Sequence, residues 1–146
     1  MKSTQKVIKL KLDIEQNNNY ILLGLVSSEP DYKLSLSLNK KFRISLKNIS
    51  PVHLQRDDEP EFTFSRFSNN DDRADQNMIL ISNRSGKNYL LKKLKNVDYL
   101  LQIQPSENDL NPDDIASNLR EIDSVTAVFN IDINTIKDKN LHYLTQ

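Results

Sequence analysis

A chain of 146 residues is the length of one ordinary domain, and 37% hydrophobic with 27% charged residues is a globular composition. Twenty basic residues balance twenty acidic ones, so no global field draws the protein to nucleic acid or to an anionic membrane. Cysteine is absent, which excludes disulfides, thiolate metal sites and cysteine nucleophiles together and fits a reducing compartment.

The opening "MKSTQKVIKLKLDIEQ" has no apolar signal region, and the longest apolar run, at residues 20–26, is far too short to span a bilayer. The expected location is the cytoplasm, with no membrane partner. Residues 7–14 alternate, with Ile8, Leu10, Leu12 and Ile14 on one face and Lys9, Lys11 and Asp13 on the other, as in a strand with one wet side. After the asparagines at 17–19, "YILLGLV" reads equally as a short buried helix or a buried strand. "EPDYKLSLSLNKKF" reads as a helix. Leu34, Leu38 and Phe42 recur at i, i+4, Pro30 suits a first turn, Asp31 favours the positive helix end, and Lys40 and Lys41 close it.

Two prolines and four acids give "PVHLQRDDEPEF" a loop composition. "FTFSRF" reads as a strand with a bulge, because Ser65 and Arg66 break the alternation of Phe62, Phe64 and Phe67. Beyond the polar stretch "SNNDDRADQN", the segments "MILISN", "RSGK" and "NYLL" read as a β-hairpin in which Gly86 supplies a positive φ. "NVDYLLQIQ" is a further strand, and the three together predict an antiparallel meander. Next comes a helix in "NPDDIASNLREI", with Asn111 as N-cap, Pro112 at the first position and Ile115, Leu119 and Ile122 as its apolar stripe. A last strand in "SVTAVFNIDI", a helical turn in "NTIKDKN" and a tail at 140–146 complete the chain. The sum is a single α+β domain over 1–146: an antiparallel sheet of five to six strands with two to three helices packed mainly on one face.

Little in this chain points to chemistry. Gly24 and Gly86 are too far apart for either nucleotide-binding fingerprint. His53 and His142 stand alone, without the spacing of a metal site or a serine triad, and read as ordinary surface or satisfied side chains. The acidic clusters "RDDEPEF" and "NNDDRADQN" read as solvated loops, and the first lacks the spacing and central glycine of a calcium loop. No cofactor or metal is expected. Lys87, Lys92, Lys93 and Lys95 gather near Tyr89 and Tyr99, a pattern that also serves to discourage aberrant pairing at a sheet edge.

Asp98 is the most singular residue, since aspartate is depleted in strands. Alternation places Val97, Tyr99, Leu101 and Ile103 on a core face and Asp98, Leu100, Gln102 and Gln104 on a half-polar one. Asp98 then reads as an ion-paired residue at a strand start, with Arg84 or a nearby lysine as its partner.

At "NVDYLLQI" the sequence resembles an uncharacterised bacterial family named for its motif, IPExxxVDY. Val97, Asp98 and Tyr99 match the second half, while Leu91, Lys92 and Lys93 stand where the family has Ile, Pro and Glu. "YILLGLVSSEPDYKLSLSLNK" and "LISNRSGKNYLL" resemble the family's amino-terminal part and the hairpin before the motif. The resemblance implies no activity and no catalytic residues.

Three functional readings follow. The first is a non-catalytic accessory or interaction protein, a subunit of a larger assembly with a protein partner, with Asn83, Arg84, Lys92, Lys93, Asp98 and Tyr99 as candidate interaction residues; a homodimer is a separate expectation, and a self-dimer alone would not satisfy this reading. The second is an RNA- or ribosome-associated protein using the Lys/Tyr patch, whose binding would weaken steeply with salt. The third, an enzyme, requires a concave pocket where Asp98, Arg84, Asn83 or a histidine converge.

Overall fold

The computed structural model describes residues 20–55, 61–69, 77–104 and 111–145. The strand expected at 7–14 and most of both acidic loops lie outside these residues. Among the described residues eight strands occur: β1 (Ile21–Val26), β2 (Lys47–Leu54), β3 (Phe62–Ser68), β4 (Asn77–Ser82), β5 (Arg84–Ser85), β6 (Asn88–Tyr89), β7 (Tyr99–Gln104) and β8 (Ala127–Ile131). Two α-helices lie among the described residues, α1 (Asp31–Phe42) and α2 (Pro112–Arg120), and short 3₁₀ turns occupy Lys92–Leu94, Ile133–Thr135 and Lys139–Thr145. Six strands make one antiparallel sheet in the spatial order β2-β3-β4-β7-β1-β8, and β5 and β6 form a separate ribbon. This is the expected α+β class.

The ambiguous "YILLGLV" is a strand for a topological reason. β1 is bonded to β7 on one side and to β8 on the other. Both of its faces are covered as well, since Leu23 and Leu25 enter one core and Leu22 enters the other. A strand buried all round needs an unbroken apolar run. Gly24 is part of the same logic: a Cβ there would lie 2.8 Å from Val97 Cγ2 and 2.9 Å from Ile131 Cδ1, so its missing side chain makes room for Val97.

Both α-helices pack on the first face. Leu34 and Leu38 of α1 and Ile115 and Leu119 of α2 meet Leu23, Leu101 and Ile103 of the sheet. Asn111 caps α2, its side chain accepting the Asp113 amide at 2.9 Å, as the sequence predicts. At the other end of α1, Arg43 adopts φ 55° and returns its amide to the Asn39 carbonyl. The Asn39 side chain then accepts the Leu46 amide at 2.7 Å, which aims the chain into β2. A Lys41–Glu121 ion pair ties α1 to the turn after α2.

The second face is covered by irregular chain. Leu90, Leu91 and Val97, from the segment between β4 and β7, and Leu144 pack on Leu22, Phe64, Ile81 and Leu100. Fully burying each of these leucines contributes about 2 kcal/mol, enough to hold segments with little hydrogen-bonded structure of their own. The face containing Leu100 and Gln102 is therefore buried rather than half wet, and only Gln104 at its end is exposed. Val97 also changes sides, because β7 begins only at Tyr99 and the chain turns just before it, with the Val97 amide bonded to the Leu94 carbonyl. Of the segment 140–146, read from sequence as a tail, residues 140–144 are docked through Leu144 and through Asn140, whose Nδ2 donates to the Leu90 carbonyl at 2.7 Å.

Two further expectations change. "PVHL" belongs to β2 rather than to a loop: Ser50 and Pro51 together oppose Ser65, a one-residue bulge between Ile49 and Val52. β2 is an outer strand, where a residue without an amide proton is tolerated. The bulge expected near Ser65 and Arg66 thus lies in the strand facing them, and Arg66 Nε donates to the Ser50 carbonyl at 2.7 Å. "MILIS" pairs with β3 and β7, not with "NYLL"; the hairpin turning at Gly86 (φ 61°) is the short β5-β6 ribbon inserted between β4 and β7. The meander expected of "MILISN", "NYLL" and "NVDYLLQIQ" is therefore not formed: β4 pairs directly with β7, and the meander in the sheet is β2-β3-β4-β7.

Candidate functional site

Four of the six candidate residues meet where β4 gives way to the hairpin. Asn83 is fully buried, and its side chain accepts the Leu91 amide at 2.9 Å while donating to the Leu94 and Val97 carbonyls, each at 2.9 Å. Its backbone amide donates to the Asp98 carbonyl, and its own carbonyl accepts from Leu90. One side chain thereby satisfies three backbone groups of a segment that has no ladder to satisfy them. Asp98 anchors the next residue along. Oδ2 accepts the Ser27 amide at 3.0 Å and Oδ1 accepts from Arg84 Nη1 at 3.0 Å. Arg84 also lies over the Tyr89 ring, its guanidinium carbon 5.7 Å from the centroid. The hydrogen bond to Asp98 raises the Arg84 pKa above its ordinary value.

Tyr99 is buried, with its hydroxyl donating to the Glu29 carbonyl at 2.5 Å. Burial, helped by Asp31, Asp98 and Glu29, pushes its phenol up to about 12. Asn83 and Tyr99 are therefore internal scaffold and cannot contact a partner, which corrects their place among the interaction residues. The same burial removes Tyr99 from any base-stacking surface, and the Tyr89 ring is already engaged by Arg84. Val97, Asp98 and Tyr99, the residues that carry the motif resemblance, hold three connections together: β7 to β1, β7 to the hairpin, and β7 to the loop before α1.

The histidines are apart from this cluster. His53 on β2 pairs with Glu61 at 2.6 Å, and His142 Nδ1 lies 2.7 Å from the Lys139 carbonyl. Asp98, Arg84 and Asn83 come together, but each is spent on bonds within the fold, and neither histidine joins them.

Lys92 and Lys93 remain at the surface, on the 3₁₀ turn Lys92–Leu94. The Lys92 amide donates to Asp138 at 3.0 Å, so the backbone of this turn is pinned while its ammonium groups stay in solvent. Lys93 borders an open groove of about 340 Å³ that continues along Leu94 and Val97 to Phe129, Ile131 and Ile136. The groove runs beside β8, the outer strand at the end of the sheet opposite β2.

The two outer strands differ. β2 carries Lys47, a proline and a bulge, features that discourage a further strand. β8, "AVFNI", has no charge, no proline and no register shift against β1, and it exposes 47% of Phe129. Sequence reasoning passed over Phe129, because only strand order makes β8 an edge. Its signal was present as an uncharged strand late in the chain.

Among the described residues the fold and site define a six-stranded antiparallel α+β sheet protein whose outer strand β8 lies beside a basic turn. Comparison with protein-family models, with curated proteins and with solved structures finds no match to this chain.

Proposed function

We propose that this protein is a non-catalytic interaction protein of the cytoplasm, an accessory subunit that docks on a protein partner through the outer edge of β8. The supporting observation is the contrast between its two outer strands: β2 is blunted by Pro51 and its bulge, while β8 presents an uncharged row ending the sheet, with Phe129 47% exposed. A flat apolar edge is an aggregation hazard when left open, so its retention fits a strand meant to be covered. Phe129 suits the centre of such a contact, since large aromatic side chains dominate interface energetics.

The test is recovery of partners on the tagged full-length protein and on its Phe129→Lys variant. A stoichiometric partner held by the parent and lost from the variant supports the reading. A protein that repeatedly returns alone, or only as its own dimer, overturns it.

A further inference from the structure

We infer that the occupant of the β8 edge is an extended acidic segment of the partner, added to the sheet as a seventh strand. This rests on the interaction reading above and adds the chemistry of what binds. Among the described residues the only strand bonded to β8 is β1, and the other side of β8 presents main-chain groups to an incoming strand. Cations flank that edge on both faces of the sheet. Lys93 borders the groove, with Lys92 beside it on the turn and Lys95 just after it, and Arg120 Nη2 donates to the Val128 carbonyl of β8 at 3.4 Å. Among the described residues none of these four forms an ion pair. Two carboxylates stand near these four cations: Asp132, which also lines the groove, accepts the Asn134 amide, and Asp138 accepts those of Lys92 and Asn140.

A volume of about 340 Å³ is at the small end of ligand pockets, which suits one or two side chains of a strand better than a free small molecule. Such a segment would place apolar side chains and a carboxylate on the groove face, against Phe129, Ile131 and Lys93, while its alternate side chains would face Arg120 on the other. A second copy paired through β8 would instead bring two sets of these unpaired cations together, which like-charge repulsion opposes.

The experiment selects random displayed peptides on the full-length protein, then measures binding of the enriched sequences and amide hydrogen exchange along β8. Expected are acidic peptides with alternating apolar residues, whose binding slows exchange of the β8 amides not bonded to β1 and weakens about tenfold or more in Lys93→Glu. Lys93→Gln, at the same exposed position, should weaken binding less. Enrichment of neutral or basic peptides, or protection away from β8, overturns the inference. So does protection of β8 by self-association, or slow exchange of its outer amides in the free monomer, which would mean that this chain already covers the edge. The two readings fail separately. If Phe129→Lys loses the native partner while no acidic peptide binds, docking stands and the acidic strand falls; if acidic peptides protect β8 while Phe129→Lys keeps the partner, docking at β8 falls.

Discussion

The Asp98 carboxylate accepts the Ser27 amide at 3.0 Å, joining residues 71 positions apart. Its second oxygen takes the Arg84 guanidinium. The two bonds differ in value, because Ser27 is buried while the Arg84 side chain is 52% exposed and its ion pair is screened by water. Asp98→Ala is expected to cost about 2 kcal/mol and Arg84→Ala less than about 1 kcal/mol, read from urea unfolding midpoints at neutral pH. Equal losses would mean that the ion pair, not the amide bond, is what Asp98 supplies.

Asn83→Ala leaves the Leu91 amide and the Leu94 and Val97 carbonyls without their partner in a site closed to water. An expected loss of about 3 kcal/mol makes this the most damaging polar truncation in the fold. Native-state hydrogen exchange should show the Leu91 amide losing protection first.

Tyr99 carries a pH dependence whose sign follows from its neutral form being favoured by burial. The folded-state pKa of about 12 lies above the ordinary 10.0, so this contribution is fully present below pH 10 and is lost as pH rises from 10 toward 12. Tyr99→Phe should be less stable than the parent at pH 8, by about 1 kcal/mol for the lost bond to the Glu29 carbonyl. That gap should shrink or reverse by pH 11. Parallel denaturant curves at the two pH values measure it.

Gly24→Ala forces a methyl group within 2.8 Å of Val97 Cγ2 in the middle of the sheet. Overpacking of this kind costs about 1–3 kcal/mol. Combining it with Val97→Ala should recover part of the loss, since the smaller side chain vacates the space Gly24 leaves. A double-mutant cycle in thermal melts gives the coupling, and strict additivity would show that the two residues do not compete.

Leu144→Ala tests whether the carboxy-terminal 3₁₀ turns belong to the core. Leu144 is buried against the second face, so truncation should cost about 2–4 kcal/mol, as for any core leucine. A change of a few tenths would place this segment outside the cooperative unit.

The sequence alone determined what depends on neighbours within a turn or two. The α2 cap at Asn111, the φ of Gly86, the apolar stripes of both helices and the strand character of β3, β7 and β8 all follow from local periodicity and backbone chemistry. It also singled out Asp98 and offered Arg84 as its partner, because an aspartate opening an apolar strand must answer for its charge nearby. Pro51 misled, because its cost in a strand depends on whether its missing amide would have faced a neighbour. "YILLGLV" stayed undecided, because a segment buried on every side shows no period. Only the tertiary structure decided which of the described strands end the sheet, that Asn83 and Tyr99 are internal, and that Phe129 lies on an outer strand and shares a groove with Lys93. These are relations between residues tens of positions apart, created by strand order and by the packing of irregular chain over the second face, and no local pattern encodes them.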